Sequence, residues 1–343
     1  AGGEFIIKRM PGSGLQHDPS CRSWLPPDGV SGYGRVADSA IVDDPDSGMT
    51  LLRLDFSLSK RPGATPPDTS GEAADTISDA PKKLTLRAML HYLWDEAELT
   101  EWRPGFAGHR SWRVIHHRLR AAVDGKTVKR SSLAEAVFVP EPFDLEHKTQ
   151  IQARRAAAWA PARNGAGKKL MIIVGEVKAI EEARIGHRLV IKQLPGCPMA
   201  LSDDLFRKLH KRFGDELALW ETDDTVHLMA IATFAVAPTG LASIDQLSVM
   251  TTDEHWMPFD NEPERMLTAA AINEHRQFRK SLRYTLPDSS SMAALVFTDT
   301  DQPTAAYIDT ERTDEPSEPT SIAEWHWDSS DVMPALPVKE NRR

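Results

Sequence analysis

Two apolar runs, residues 170–180 and 187–194, stand on either side of a charged turn that ends in Gly186. Runs this short, bounded by turn residues and rich in Ile, Val and Leu, read as buried strands. A helix follows over residues 203–220: Leu205, Phe206, Leu209 and Phe213 recur at helical spacing, and Ser202 and Asp203 are N-cap candidates. Two more strands, residues 227–236 and 243–251, flank the turn-rich APTGLA. The order ββαββ demands an α+β unit whose apolar sheet face is covered by its helix. Residues 168–252 are therefore expected to form a mixed middle domain, with Cys197, Met199, Met229 and Met250 in its core.

Before this unit the pattern changes three times. Residues 4–10 and 49–58 alternate as strands, and between them His17 and Cys21 sit in a Gly/Pro/Ser loop. His-x3-Cys is half of a recurrent zinc site, since one loop brings an imidazole and a thiolate to one ion, and a closed site needs four ligands. By themselves the two residues read rather as an ordinary surface loop with a stray Cys, since only two ligands lie here and Cys197 is the sole other thiol. Residues 59–82 hold almost no large apolar side chain and read as a flexible linker, so a boundary falls there. Residues 83–160 read as a helical module. Leu84, Leu86, Met89, Leu90, Leu93 and Trp94 line one face of a first helix; Trp112, Ile115, Leu119 and Val123 line one face of a second. Residues 145–160 give a third helix.

The second helix is basic. Residues 103–130 carry eight Lys/Arg and one acid, in a chain whose net charge is −9. Arg110, Arg113, Arg118 and Arg120 lie off its apolar stripe, which suggests a helix-turn-helix or winged-helix module reading DNA, or a solvated basic face. Two places resemble metal-dependent nuclease chemistry. Glu176-x-Lys178 puts both side chains on one strand face, yet residues 161–174 supply no partner acid. Residues 255–308 read as a helix, with Glu262 and Glu264 in its first turn, followed by three strands. That order opens a restriction-endonuclease-like core, but MAAL and AAYI stand where its second and third strands need an Asp and a Glu-x-Lys. Such a core is catalytically inactive.

The remaining features bound the class. At 343 residues the chain is long enough for about two domains. Its apolar runs fall short of the about 20 residues a membrane helix needs, so no membrane partner is expected. Two cysteines fit a reducing, cytoplasmic setting. The chain starts without Met, which reads as a missing N-terminus. Residues 309–343 are acidic and Pro-rich and read as a disordered tail, with Trp325 and Trp327 as a docking segment.

Several stretches together, IIKRMPGSGLQHDPSC, LTLRAMLHYLWDEA with RSWRVI, IIVGEVKAI with GHRLVIKQLP, MPFDNEPERML, FRKSLRYTLP and MPALPV, resemble a bacterial family known as domain-of-unknown-function family 1173. The resemblance covers nearly the whole chain and implies carriage on plasmids and integrative elements, with no established activity. It also implies a Cys-x-Cys pair upstream of Ala1, which with His17 and Cys21 makes a zinc set in the full-length protein and leaves none expected in this chain. The leading expectation is a non-enzymatic accessory protein binding DNA, or other plasmid-encoded proteins. The alternatives are a metal-dependent nuclease, or its inactive descendant, and a protein-interaction scaffold.

Overall fold

Thr85 caps the helix Leu86–Glu96 by accepting from the Ala88 N–H (3.1 Å), and almost every side chain that follows is buried. The sequence predicts one apolar face; His91 and Tyr92 on the other side are buried as well. A helix apolar nearly all round belongs inside a protein. This one is the centre of the molecule.

The computed structural model describes residues 14–19, 21, 23–27, 30–44, 47–59, 83–129, 131–163, 169–284, 292–309 and 322–340. The strand expected over residues 4–10 and nearly all of the linker expected over 59–82 lie outside them. In chain order the elements are β1 (Ile41–Asp44), β2 (Met49–Leu52), α1 (Leu86–Glu96), β3 (Glu101–Trp102), α2 (Trp112–Ala122), β4 (Lys126–Val128), β5 (Ser131–Ser132), the single turn α3 (Leu133–Ala136) and β6 (Val137–Phe138). There follow α4 (Lys148–Ala158), β7 (Met171–Glu182), β8 (His187–Ile191), β9 (Met199–Leu201), α5 (Asp203–Thr222), β10 (His227–Val236), β11 (Ala242–Thr252) and β12 (Pro258–Phe259). Last come α6 (Glu262–Asn273), β13 (Phe278–Lys280), β14 (Leu295–Phe297), β15 (Thr304–Ile308) and β16 (Ala323–Trp327). The fold is α+β, as the sequence indicates.

The middle unit is a small closed barrel. β7 changes partner halfway: Met171 to Glu176 pair with β10, and Val177 to Glu182 pair with β8. β8 pairs with β9, β9 runs parallel to β11, and β11 returns to β10, which closes the ring. Gly175 makes the crossing tight, since a Cβ there would lie 2.8 Å from Ile191 Cγ2. This strand order, with a helix between the third and fourth strands, is that of an OB-type barrel. Its interior (Met171, Ile173, Leu189, Ile191, Met199, Leu228, Phe234) closes over Leu209, Phe213 and Leu217 of α5. The outer side of β7 and β10 (Ile172, Val174, Met229, Ile231) packs on α1.

The expected partition into successive domains needs correcting. β3 pairs with β13, β4 with β2 and β6 with β7, so the stretch read as a helical module contributes strands to three sheets. The helix expected to open residues 255–308 ends at Asn273: Glu274 caps it, His275 takes a φ of +55°, and β13 starts at Phe278. The tail also differs from expectation. β16 pairs parallel with β15, Trp327 is buried, and Arg276 donates to the Pro337 carbonyl (2.7 Å). The apolar faces of Trp325, Trp327, Met333 and Leu336 find a partner in the chain's own sheet.

Polar groups inside the core are tied across elements. Arg87 of α1 reaches Asp260 (2.8 Å) and Glu216 of α5 (3.4 Å); Arg283 meets the same Asp260 (3.2 Å). Burial alone raises the Asp260 pKa, but Arg87, Lys280 and Arg283 together hold it below the usual carboxylate range. His91 accepts from the Tyr284 N–H through Nδ1 (3.2 Å), and burial lowers its pKa to about 3. A folded-state value below that of the unfolded chain gives stability that is complete above the unfolded pKa and lost as pH falls toward the folded one. In urea unfolding between about pH 6 and pH 4, wild type should lose roughly 1.4 kcal/mol per pH unit more than His91→Gln. Parallel stability curves would contradict this reading.

Candidate functional site

At one end of the barrel an aromatic cluster reaches the surface. The His187 ring at the start of β8 lies flat on Phe206 of α5 (centroids 3.6 Å apart, 11° between planes), and His210 meets Phe206 edge-on at 4.3 Å. His187 Nδ1 lies 3.2 Å from Asp203 Oδ1. Phe206 is half-buried and His210 exposed. The turn of residues 183–186 is pressed against the junction of β9 and α5. Gly186 has a φ of +68°, and a Cβ on it would sit 2.6 Å from the Leu201 carbonyl oxygen, so glycine is required for this approach.

The turn, strand and helix that carry the cluster also carry exposed cations. Arg184, Arg188, Arg207, Lys208, Lys211 and Arg212 are exposed. Residues 169–213 carry nine Lys/Arg against five Asp/Glu, in a chain of net charge −9. Arg188 donates to Glu181 (2.7 Å) and Lys208 meets Asp204 (3.1 Å). Exposed pairs of this kind contribute under about 1 kcal/mol, so an incoming anion displaces them at little cost. The signal in the sequence is Arg184 and His187-Arg188 ahead of Phe206-Arg207 and His210-Lys211. Reading Phe206 as core obscured it.

The residues singled out for nuclease chemistry are held differently. Glu176 is buried and accepts from Lys192 Nζ (2.7 Å), Gln193 Nε2 (3.1 Å) and His227 Nδ1 (2.8 Å). Burial would raise its pKa, but the bonds from His227 and Lys192 outweigh this and lower it. His227 in turn stacks on Trp256 at 4.2 Å, so Glu176 joins β7, β10 and the segment before β12. Lys178 is exposed, and the strand pairing shifts between Val177 and Ala179, so it does not share the setting of Glu176. Glu264 is buried against Lys280 (3.0 Å), and Glu262 is exposed beside Arg265 (3.5 Å). The glutamates of both sets, Glu176, Glu262 and Glu264, thus lie against protein cations.

The four arginines expected to form one DNA-contacting surface are divided. Arg113 and Arg120 are exposed on α2. Arg118 is bonded to Glu98. Arg110 turns inward, donating to the carbonyls of Leu99 (3.0 Å), Glu101 and His255 (3.3 Å) and stacking on Trp102 and Phe106. Burial lowers its pKa to about 10, which leaves it charged at neutral pH. It clamps the chain after α1 to the loop before β12.

His17 and Cys21 do come together, with Sγ 3.8 Å from Nδ1. Ordinary zinc bond lengths and a tetrahedral angle place two such ligand atoms roughly 3.6 Å apart, so the pair fits as two of four ligands. Among the described residues no group of three or more His, Cys, Asp or Glu is arranged to hold a metal ion. Likewise, no helix among them is long and apolar enough to cross a membrane.

Comparison with known proteins gives one result. A family described as "Protein of unknown function (DUF1173)" matches residues 1–330. No curated protein and no solved structure matches.

The inward placement of Arg110 has a measurable consequence. Arg110→Ala should lower stability in urea by about 2–3 kcal/mol, because several buried carbonyls lose a charged donor. Arg113→Ala should change it by under about 0.5 kcal/mol. Equal effects would mean that Arg110 is as solvated as Arg113.

Proposed function

The chain belongs to that family of unknown function, and from its own geometry we propose that it binds single-stranded nucleic acid without cleaving it, as an accessory protein. One observation carries the reading: the His187–Phe206–His210 cluster on a barrel of OB-type order, with Arg184, Arg188, Arg207 and Lys211 exposed on the same turn, strand and helix. Barrels of this order bind oligonucleotides on the face of their second and third strands and on the adjoining loops. Unpaired bases stack on aromatic rings while cations follow the phosphates, each stacked base contributing about 1–3 kcal/mol. The site therefore moves from α2 to the barrel. Arg113 and Arg120 remain exposed cations that a longer strand can meet. Zinc enters this reading only as a structural ion held by His17, Cys21 and ligands outside the described residues.

Cleavage is left out because Glu176 and Glu264 are committed to Lys192, His227 and Lys280. Fluorescence anisotropy of a labelled oligo-dT, titrated at several salt concentrations, tests the proposal. Affinity should fall with salt at a log–log slope of about −0.7 per phosphate contacted. Phe206→Ala should weaken binding by about 1–3 kcal/mol, and Lys211→Ala should make the slope shallower by about one contact's worth. Binding that is absent, independent of salt or unchanged in both variants overturns the proposal.

A further inference from the structure

A second surface lies on the C-terminal sheet, away from the barrel, and does not rest on the reading above. It is made by Trp325 and Trp327 of β16 and by His275 and Arg276 just past α6. Residues 332–340 cross it in a form that is neither helix nor strand.

The way this segment is held is unusual for a chain end beside a sheet. Trp325 Nε1 donates to the Ala335 carbonyl (3.0 Å), Trp327 Nε1 to that of Asp331 (3.1 Å), and Arg276 Nη1 to that of Pro337 (2.7 Å). Farther on, Lys339 donates to the His275 carbonyl (2.9 Å), and the Glu340 N–H to the Asp299 carbonyl (2.8 Å). Side-chain donors thus read the carbonyls of the segment, where a strand would be held by a backbone ladder. Arg276 is 2% exposed and paired with Asp299 at 2.9 Å. The direction of its remaining donor is therefore set by the core and not by the segment.

The segment contains Pro334-Ala335-Leu336-Pro337. The two side chains that pack on the core beneath it, Met333 and Leu336, are three residues apart. A polyproline II chain repeats every three residues and makes no internal hydrogen bonds, so its carbonyls are free for donors on an aromatic-lined surface. The hold is also light. None of residues 331–340 is buried, and Val332 and Val338 are 93% and 88% exposed. Segments with few buried contacts open locally at a cost well below that of unfolding.

We propose that Trp325, Trp327 and Arg276 form a binding site for a proline-rich P-x-x-P segment of a partner protein, and that residues 331–340 occupy it in cis and keep it closed. A partner segment must outcompete a tethered one, whose effective concentration is on the order of millimolar. The turn before the tethered segment is itself tied, Ser330 to Asp328 (2.7 Å) and Ser329 to Asp309 (2.7 Å). This keeps the segment at its own seat and disfavours exchange with a second copy.

Fluorescence anisotropy of a labelled peptide with the sequence of residues 331–340, titrated with the full chain, tests it. Wild type should bind weakly. Leu336→Ser, which loosens the cis segment, should bind the peptide about tenfold more tightly. The same peptide with alanine at both prolines should lose that binding. Adding Trp325→Phe to the Leu336→Ser chain keeps a ring but removes one donor, and should weaken binding about threefold or more. If Leu336→Ser does not fold, Lys339→Glu, at an exposed position beside the negative end of α6, loosens the segment in its place. Absent binding to the loosened chain, equal binding of the proline-free peptide, or binding that Trp325→Phe leaves unchanged overturns the proposal. So does a wild-type dimer that the loosening variants dissociate, which gives the seat to a second copy.

Discussion

The enclosure of α1 is the constraint on which the other elements depend. Met89, Leu90, Leu93 and Trp94 have no exposed surface, and the side chains that cover them come from segments far apart in sequence. Met229 and Ile231 of β10, Ile41 and Leu52 of the N-terminal sheet, and Ile115 and Leu119 of α2 all share its core. Each such side chain contributes about 1.5–3 kcal/mol when fully buried, so no neighbour of the helix can leave without exposing several of them. Removing any one layer would strand an apolar helix in water. For this reason the barrel, the small N-terminal sheet and α2 share one core with it.

Ionic groups complete what apolar packing leaves open. Arg87 leaves the α1 surface to meet Glu216 and Asp260, and through Asp260 it is linked to Arg283 beyond β13. Arg276 and Asp299 form a second enclosed pair beneath the C-terminal strap, with Arg276 also over the Phe297 ring. Glu176 and Glu264 serve in the same way. A buried pair gains little net stability relative to apolar packing, yet removing one partner is strongly unfavourable because it leaves a charge uncompensated. Such residues therefore fix which elements meet. They are poorly suited to chemistry that needs an available carboxylate. What remains accessible on the barrel is aromatic and, on balance, cationic.

Much of the local structure is legible in the sequence. The strand expected over residues 227–236 is β10 with the same bounds, and the helix expected over 203–220 is α5 to within two residues. Both have strong periodicity and clear caps, Ser202 accepting from the Leu205 N–H at 3.2 Å. β9 was not legible, because three residues bounded by Pro198 and Ser202 show no periodicity. Without it the ββαββ pattern reads as an open sheet. The basic face of α2 was legible as composition, but composition does not tell an arginine that reaches water from one that bonds the carbonyls of Leu99 and His255.

The amino-acid order by itself determined the class of the fold, the positions of most helices and strands, and the uneven distribution of charge. These follow from neighbours within a few residues, where periodicity and capping act. Ring closure through β9 and β11, the pairing of β3 with β13, the docking of the C-terminal segment and the direction taken by Arg110 were decided only by the tertiary structure. Each depends on surfaces brought together from distant parts of the chain, and an apolar or charged side chain acquires its role only when the partner that buries or neutralises it is in place.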